Sequence, residues 1–354
     1  MKTLKQLIFV LFFGPAIFLI SCGPDIYEQV YPTLGDGKYD SEFPYRNSSK
    51  QLEEISNTLK LVNSLAFYKS YIFSDSSVIR KSDLSDDIID KYTIRNEFFN
   101  QTESGTSTVI YSESGKVALL TCAHIINFPD TLISFFSDEN GELSPYIQSI
   151  SIKVKQTNYI NLKVQVVELD IIAKDDNLDV ALIGGKFDPE YTKDLKLFNY
   201  PVGKAKELEW GSFVYVFGYP LNNKMITKGI VSSPDKDKKG SFLVDAIFNR
   251  GFSGGIVLAV RDGVPNFELV GLVRSVPVES RYVLAPAELK TNAEYNRRIP
   301  FTGEVFVEKQ ININYGITNV LSIEAIEEFL ENNKTDLEAK GYYIDKFKIN
   351  GKIK

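Results

Sequence analysis

The sequence predicts a mainly β fold (all-β class) of two six-stranded barrels, with a helical extension before them and a helix after them. From about residue 97, short β-branched and aromatic runs are separated by Gly, Asp, Asn and Pro, which is typical of barrels and sandwiches. After the last run, Ser322 is a good helix N-cap, and apolar residues follow it at helical spacing up to Leu330. The 44% hydrophobic content over 354 residues is enough to form a large core.

The first 21 residues are organised like a secretory signal peptide. Lys2 and Lys5 precede an apolar run over residues 7–20, and this run is too short to span a membrane. Residues 19–22, Leu-Ile-Ser-Cys, resemble a bacterial lipobox, in which the signal is cut before the cysteine and the thiol carries lipid. We therefore expect Cys22 to anchor the protein to a membrane of a bacterial cell envelope, on its periplasmic or surface side. The alternative is a plain signal peptide with an incidental cysteine.

The remaining composition restricts the classes of function. A formal net charge of -6 does not favour binding to nucleic acid. Lipid on Cys22 would leave Cys122 without a disulfide partner, and a thiol in an apolar strand is usually a small buried hydrophobe. One histidine and no free cysteine pair argue against a metal site, and no cofactor is expected.

Two segments are expected before the barrels. Residues 22–46, with the lipidated cysteine at their start, contain Gly and Pro breakers and predict a tether. The extension over residues 47–96 begins with Ser48 and Gln51 in capping-box spacing, and its apolar periodicity predicts a helix as far as about residue 65. Aromatic residues then predict a short strand over residues 67–73. The charged residues 74–95 predict a solvated face or loop.

Residues 97–333 are predicted to form the main domain. A first hairpin is expected from residues 104–110 and 117–122. Further strands are predicted at residues 131–136, 153–156, 163–172, 180–183, 213–217, 225–231, 241–245, 255–260 and 269–273. The helix after Ser322 closes the domain, and residues 334–354 are left as a C-terminal tail.

The prediction of function is built around Ser253, which lies in residues 251–255 with the sequence Gly-Phe-Ser-Gly-Gly. Glycines allow such a turn to present a hydroxyl and free backbone N–H groups to one point. Upstream lie His124, the single histidine, at the end of an apolar strand, and Asp179, which opens another strand. A base that takes the hydroxyl proton and a carboxylate that orients the base are what a serine nucleophile needs.

This order of His124, Asp179 and Ser253, in these strand contexts, resembles the trypsin-like serine peptidases of the chymotrypsin fold. The resemblance covers about residues 97–333, and three further stretches are similar to the HtrA-like bacterial branch: residues 218–221, 229–233 and 245–249. It implies that His124 is the general base and acid, that Asp179 orients it, and that Ser253 attacks the substrate. It also implies an oxyanion hole formed by the backbone N–H groups of Gly251 and Ser253.

Two neighbouring carboxylates compete for the role of Asp179. Asp175 and Asp176 lie close in sequence, but only Asp179 is followed by Val-Ala-Leu as in the family. The chain departs from the family pattern at two positions, because Phe252 replaces a polar residue before the serine and Arg250 replaces a proline before the glycine. Phe252 cannot pair with a freed N-terminal amine, so activation through a trypsin-type new N-terminus is not expected.

The resemblance places Ile247, six residues before the serine, at the base of the primary specificity pocket. An apolar or small side chain is then the expected guest, since a charged guest would lose its hydration. Arg274 and Glu279 lie near a pocket wall by the same alignment and could overrule this preference. The alternative is that Ile247 belongs to the core.

The sequence therefore predicts a membrane-anchored serine endopeptidase that cleaves proteins or peptides of the envelope without a metal or cofactor. A catalytically inactive trypsin-like module that binds a peptide or an envelope protein is the alternative, and the intact triad argues against it. The sequence does not predict the oligomeric state.

Overall fold

Two closed β-barrels form the body of the protein in the computed structural model, as the sequence predicted. The structure describes residues 35–344 except 45, 138–142, 163–164, 194, 247–248, 276–277, 287–297 and 314–315. Cys22 and Ile247 therefore lie outside the described residues. One continuous hydrophobic cluster runs through both barrels, from Val62 in the first to Leu321 in the second, so the barrels share a packed seam.

The first barrel is formed by six strands and closes where β1 pairs with β5. The order around it is β1-β2-β3-β7-β6-β5, and β4 pairs with β5 on the outside. The strands are β1 Leu59–Phe73, β2 Thr93–Glu113, β3 Lys116–Thr121, β4 Thr131–Ser137, β5 Leu143–Asn161, β6 Val166–Asp175 and β7 Val180–Lys186. The predicted first hairpin is present as β2 and β3, joined through Ser114 and Gly115, both with positive φ as a two-residue turn requires.

The second barrel also has six strands, in the closed order β10-β15-β12-β11-β8-β9. Its strands are β8 Phe213–Gly218, β9 Met225–Ser233, β10 Phe242–Asp245, β11 Ile256–Val260, β12 Phe267–Ser275 and β15 Thr318–Ser322. Between β12 and β15 the chain forms a separate hairpin of β13 Val278–Pro286 and β14 Val305–Ile313. The sequence analysis predicted neither this hairpin nor β15.

Helices are few and short in the described residues. They are α1 Ser49–Ser56, α2 Asp86–Tyr92, α3 Pro189–Thr192, α4 Ile323–Asn332 and α5 Lys334–Ala339. The predicted closing helix is α4, and the hydroxyl of Ser322 accepts a hydrogen bond from the N–H of Ala325 as its N-cap. None of these helices is long and apolar enough to span a membrane.

The helix predicted from Ser48 to about residue 65 is wrong in its second half. Helix α1 ends at Ser56, and β1 begins at Leu59. Side chains of β1 alternate between the barrel interior and the outside, but two of the interior positions are Ser64 and Ala66, so the hydrophobic alternation is weak in the sequence. The domain start expected at residue 97 falls inside β2.

The charged segment over residues 74–95 packs against the first barrel and is not only a loop. Its short helix α2 is capped by Ser85, whose hydroxyl accepts from the N–H of Ile88. The side chain of Ile89 joins a small buried cluster with Phe73 and Ile147. This cluster fixes the extension to the outer end of β1 and β5.

The chain around Tyr39 is attached to the second barrel, although the sequence predicted a tether over residues 22–46. Tyr39 forms a β-bridge with Arg261, whose guanidinium lies 4.0 Å from the centre of the tyrosine ring. The Tyr39 hydroxyl donates to Glu268 over 2.7 Å. Asp40 adds two backbone hydrogen bonds, one to the carbonyl of Val260 and one from the N–H of Phe213.

Candidate active site

His124 lies in a 3₁₀ turn that directly follows β3. The turn spans Ala123–Ile125, and both of its terminal side chains are buried, whereas the His124 side chain is 45% exposed. The two buried neighbours attach the turn to the core, so the imidazole is held at the surface by a rigid strand end rather than by a loose loop.

Asp179 is in contact with His124 through two groups. Its carboxylate lies 2.8 Å from Nδ1 of the ring and accepts the backbone N–H of His124 over 2.9 Å. Asp179 directly precedes β7 and has a φ of 58°, a left-handed conformation that aspartate adopts more readily than most residues. The carboxylate is largely shielded, with 17% of the side chain exposed, which strengthens its interaction with the ring.

The two competing carboxylates are used elsewhere. Asp175 accepts the backbone N–H groups of Asn177 and Leu178 and thereby stabilises its own turn. Asp176 pairs with Lys174 at 3.0 Å on the surface. Of the three aspartates, the structure brings Asp179 to the histidine.

The turn that carries Ser253 needs glycine at specific positions. Gly251 has a φ of 104°, and a Cβ there would lie 2.2 Å from the carbonyl oxygen of Tyr219. Gly254 has a φ of 78°, and its Cβ would lie 2.1 Å from the carbonyl oxygen of Thr106. No other residue fits this backbone at this packing distance, so the glycines are required by both conformation and space.

The backbone of this turn leaves two donors available. Phe252 donates its N–H to Asn249, and Gly255 donates to Phe252. Within the described residues, the N–H groups of Gly251 and Ser253 have no hydrogen-bond acceptor. These two donors are those that the sequence analysis assigned to the oxyanion hole.

Ser253 and His124 line one cleft of about 440 Å³. The other residues that line this cleft are Thr102, Glu103, Ser104, Leu221, Asn222, Arg250 and Gly251. In the part of the chain that the structure describes, no hydrogen bond joins the Ser253 hydroxyl to the imidazole. Such bonds are often long in ligand-free enzymes and shorten when substrate binds, so the arrangement is compatible with a nucleophile and its base.

Cys122 lies close to this site and is enclosed by the core. Its side chain is fully buried, and the thiol donates to the carbonyl of Val273 over 3.2 Å. Burial, and then the charge of Asp179, raise the pKa of the thiol well above its ordinary value. Cys122, His124 and Asp179 form the one cluster of possible metal ligands found among the described residues, but a thiol held in its protonated form is a poor ligand.

The two departures noted in the sequence have different structural roles. Phe252, which stands where the family pattern has a polar residue, is a buried core side chain. Its ring packs closely against Gly218, and a Cβ added at Gly218 would lie 2.7 Å from the ring. Arg250 is exposed and lines the cleft beside Gly251. Arg274, expected near a pocket wall, is half-buried at the end of β12, and the side chain of Glu279 is outside the description.

Sequence reasoning missed the residues that support the turn from the first barrel. Thr106 and Thr121 are fully buried, and their hydroxyls donate to the carbonyl oxygens of Gly251 and Thr106 respectively. The sequence does contain one indication of this support, the run of three hydroxyl residues at 106–108 inside a barrel strand. Buried hydroxyls need hydrogen-bond partners, so such a run indicates contacts with other segments.

Comparison with known proteins gives a match over the region of this site. Residues 105–272 match the family model described as the trypsin-like peptidase domain. No curated protein matches the chain.

Several solved structures are similar to the chain at low identity. The serine endoprotease from Yersinia pestis is 16% identical, with a TM-score of 0.40, over 82% of this chain and 67% of that chain. The Rv3671c protein from M. tuberculosis, in an inactive form, is 11% identical, with a TM-score of 0.41, over 84% of this chain and 97% of that chain. Its active form is 12% identical, with a TM-score of 0.37, over 75% of this chain and 79% of that chain.

Proposed function

We propose that this protein is a serine endopeptidase that hydrolyses proteins or peptides, because residues 105–272 match the family model of the trypsin-like peptidase domain. The observation that carries the proposal is the contact between His124 and Asp179, on a cleft that also contains Ser253. Two backbone N–H groups beside it have no acceptor among the described residues. The chemistry of this cleft is acyl transfer through a covalent intermediate.

In the proposed reaction, the hydroxyl of Ser253 attacks the scissile carbonyl while Nε2 of His124 takes its proton. Asp179 accepts a hydrogen bond from Nδ1–H of the ring, which leaves Nε2 as the basic nitrogen and stabilises the charged ring that forms. His124 then donates its proton to the leaving amine. Water repeats the sequence on the acyl-enzyme and releases the second product.

Charge that develops on the carbonyl oxygen needs donors that are already oriented. The N–H groups of Gly251 and Ser253 are free of other acceptors among the described residues and would supply them. Removing one such donor typically lowers kcat by about 10²–10³-fold.

The edge of β2 beside the cleft suits an extended peptide. The backbone N–H of Thr106 points away from β1 and donates to the carbonyl of Ser253. In an antiparallel strand, the backbone groups of every second residue point to the same side, so those of Ser104 also point away from β1, toward the cleft. An extended chain could therefore pair with this edge by main-chain hydrogen bonds, largely independent of its sequence. This favours a peptide or protein substrate over a small ester.

Labelling with a fluorophosphonate probe tests the proposal. The natural chain should react with the probe, and Ser253→Ala and His124→Ala should not. Ser82→Ala, at an exposed serine that does not line the cleft, is the matched control and should react as the natural chain does. Labelling that persists in Ser253→Ala would reject Ser253 as the nucleophile. A folded natural chain that does not react would support the alternative of an inactive, peptide-binding module.

We further propose that the enzyme is anchored to an envelope membrane by lipid on Cys22. The support is the signal-like organisation of residues 1–21 and the lipobox-like residues 19–22. Cys22→Ala should release the protein from the membrane fraction or block its processing. Unchanged membrane partition and electrophoretic migration in this variant would reject the anchor.

The preference of the enzyme for an apolar or small residue before the cleaved bond also remains a proposal. It depends on Ile247 lining the primary pocket, as the family resemblance implies. Cleavage of a peptide library by the natural chain and by Ile247→Asp tests it, because an aspartate at the pocket base should shift the preference toward basic residues. An unchanged preference would place Ile247 in the core.

A further inference from the structure

Thr106 connects three segments of the protein that meet at the seam between the barrels. Its hydroxyl donates to the carbonyl of Gly251 over 2.6 Å and accepts the N–H of Tyr219 over 2.9 Å. Its backbone N–H donates to the carbonyl of Ser253 over 2.8 Å, and its own carbonyl accepts the hydroxyl of Thr121 over 2.7 Å. All four of its hydrogen-bonding groups are therefore used, and the residue is fully buried.

These bonds act on the peptide groups that flank the two oxyanion donors. The carbonyl of Gly251 and the carbonyl of Ser253 are both fixed by Thr106, one through the side chain and one through the backbone. Between these two carbonyls lies the N–H of Ser253, and just before them lies the N–H of Gly251. Fixing both carbonyls restricts rotation of the peptide plane between Phe252 and Ser253, which sets the direction of the Ser253 N–H. The peptide that carries the Gly251 N–H directly adjoins the first fixed carbonyl, so its orientation is restricted from one side.

Tight packing around the hydroxyl explains why a threonine is suitable. A Cβ at Gly218 would lie 3.0 Å from the Thr106 hydroxyl, and one at Gly251 would lie 2.2 Å from the carbonyl oxygen of Tyr219. No water is needed to complete the hydrogen bonding of this hydroxyl, since it has one donor and one acceptor partner already. Loss of the hydroxyl would leave the N–H of Tyr219 and the carbonyl of Gly251 without a partner in a buried place.

We infer that Thr106, on the first barrel, is a positioning residue for the oxyanion hole on the second barrel. The inference rests on the proposed peptidase function for its kinetic consequence, but the structural connection can be measured without activity. Thr106 is fully buried and so cannot touch substrate, and it acts on the donors through the peptide groups of residues 251–253.

Three variants separate this role from a general effect on folding. Thr106→Val removes the hydroxyl and keeps the shape, and Thr106→Ser restores the hydroxyl. Thr108→Val is the matched control, since Thr108 is two residues further along β2 and fully buried, and its hydroxyl has no partner among the described residues. Kinetics are normalised to the number of sites titrated by a fluorophosphonate, so that unfolded molecules do not count.

We expect Thr106→Val to lower kcat by about 10–100-fold with KM nearly unchanged, because a misdirected donor weakens transition-state binding. Thr106→Ser should recover kcat to within about threefold, and Thr108→Val should match the natural chain. Hydrogen exchange followed by mass spectrometry should show faster exchange in residues 249–255 for Thr106→Val alone. A natural kcat in folded Thr106→Val, or unchanged exchange in that segment, overturns the inference.

The two proposals fail in different ways. A natural chain without Ser253-dependent turnover rejects the peptidase function. In that case hydrogen exchange still decides whether Thr106 holds residues 249–255: faster exchange in Thr106→Val supports the connection, and unchanged exchange rejects it.

Discussion

Asp179 binds His124 through two different groups of the histidine, the backbone N–H and the ring Nδ1. The backbone bond fixes where the residue sits, and the ring bond fixes how the imidazole is rotated. One carboxylate therefore controls both position and orientation, and it leaves Nε2 as the nitrogen that would take the Ser253 proton in the proposed reaction.

Asp179→Asn should therefore inactivate the enzyme without unfolding it. An amide can still accept the backbone N–H, but its NH₂ group would favour the ring tautomer with the proton on the wrong nitrogen. We expect kcat to fall by about 10³–10⁴-fold, which is the typical effect of replacing the aspartate of a Ser-His-Asp triad by asparagine. Steady-state kinetics measure this, with Asp176→Asn as the control. Activity within about tenfold of natural would reject the orienting role.

Gly251→Ala should abolish activity because of a clash and not only because of backbone strain. The new Cβ would lie 2.2 Å from a backbone oxygen that cannot move easily, so the turn must shift. Gly211→Ala is the matched control, since Gly211 also has a positive φ, of 85°, but open space around it. Both variants should lose about 1–2 kcal/mol of stability from the left-handed conformation.

Only Gly251→Ala should lose catalytic activity. Measuring denaturant unfolding and kcat on the same preparations of both variants separates the loss of stability from the loss of catalysis. Equal activity in the two variants would show that the position of the Gly251 backbone does not matter for the reaction.

Cys122 should be unreactive in the folded protein. The thiol is fully buried and its pKa is raised, mainly by burial, so little thiolate forms and reagents cannot reach it. In a chain with Cys22→Ser, Cys122 is the remaining cysteine, and iodoacetamide should modify it only after unfolding. Cys122→Ser can still donate to Val273 and should keep activity within a few-fold. Rapid modification of the native chain, or loss of activity in folded Cys122→Ser, would contradict a structural role.

The stability of the protein should depend on Asp40 below neutral pH. The pKa of this carboxyl is raised from 3.8 to about 6, mainly by burial. The hydrogen bond from the N–H of Gly263 lowers the pKa, and the nearby charges of Glu42, Asp262 and Asp36 raise it further. The folded state therefore holds the proton more tightly than the unfolded state. The stability gained in this way is complete below about pH 4 and is lost as the pH rises through about 6.

The change should be about 1 kcal/mol, after allowance for solvent screening of a surface segment. Asn at this position can still accept the N–H of Gly263, so Asp40→Asn should remove the fall in unfolding free energy between pH 4 and 6. Asp75→Asn, at an exposed aspartate, should not. Denaturant unfolding at several pH values measures the slope, and a slope unchanged in Asp40→Asn would contradict the assignment.

Local patterns in the sequence were sufficient where each residue's neighbours in the chain determine its conformation. The strand into His124, the turn at residues 251–255 and the helix capped by Ser322 depend on short-range features, namely an apolar run, glycines and a hydroxyl before a periodic stripe. The choice of Asp179 came from the family resemblance, and the structure places that aspartate beside the histidine.

The remainder depends on contacts between distant parts of the chain. Strand β1 carries Ser64 and Ala66 at buried positions, which a search for alternating apolar residues does not detect. The role of Thr106 is recognisable only in the folded structure, where β2 lies beside the turn at residues 251–253. The sequence does not indicate it, because Thr106 and Gly251 are 145 positions apart. The N-terminal attachment at Tyr39 likewise requires Arg261, which directly follows β11 of the second barrel and is distant in sequence.

That attachment would limit the distance between the proposed peptidase and its membrane. If lipid holds Cys22 at a bilayer, the chain between it and Gly37 spans at most about 50 Å even when fully extended. Gly37 is hydrogen-bonded to Arg261 and Asp262, so the tether ends at Gly37 and does not continue to residue 46. The second barrel can then move only within a shallow layer above the membrane. Substrates would have to enter that layer, and proteins embedded in or lying along the same membrane would meet the cleft far more often than freely diffusing ones.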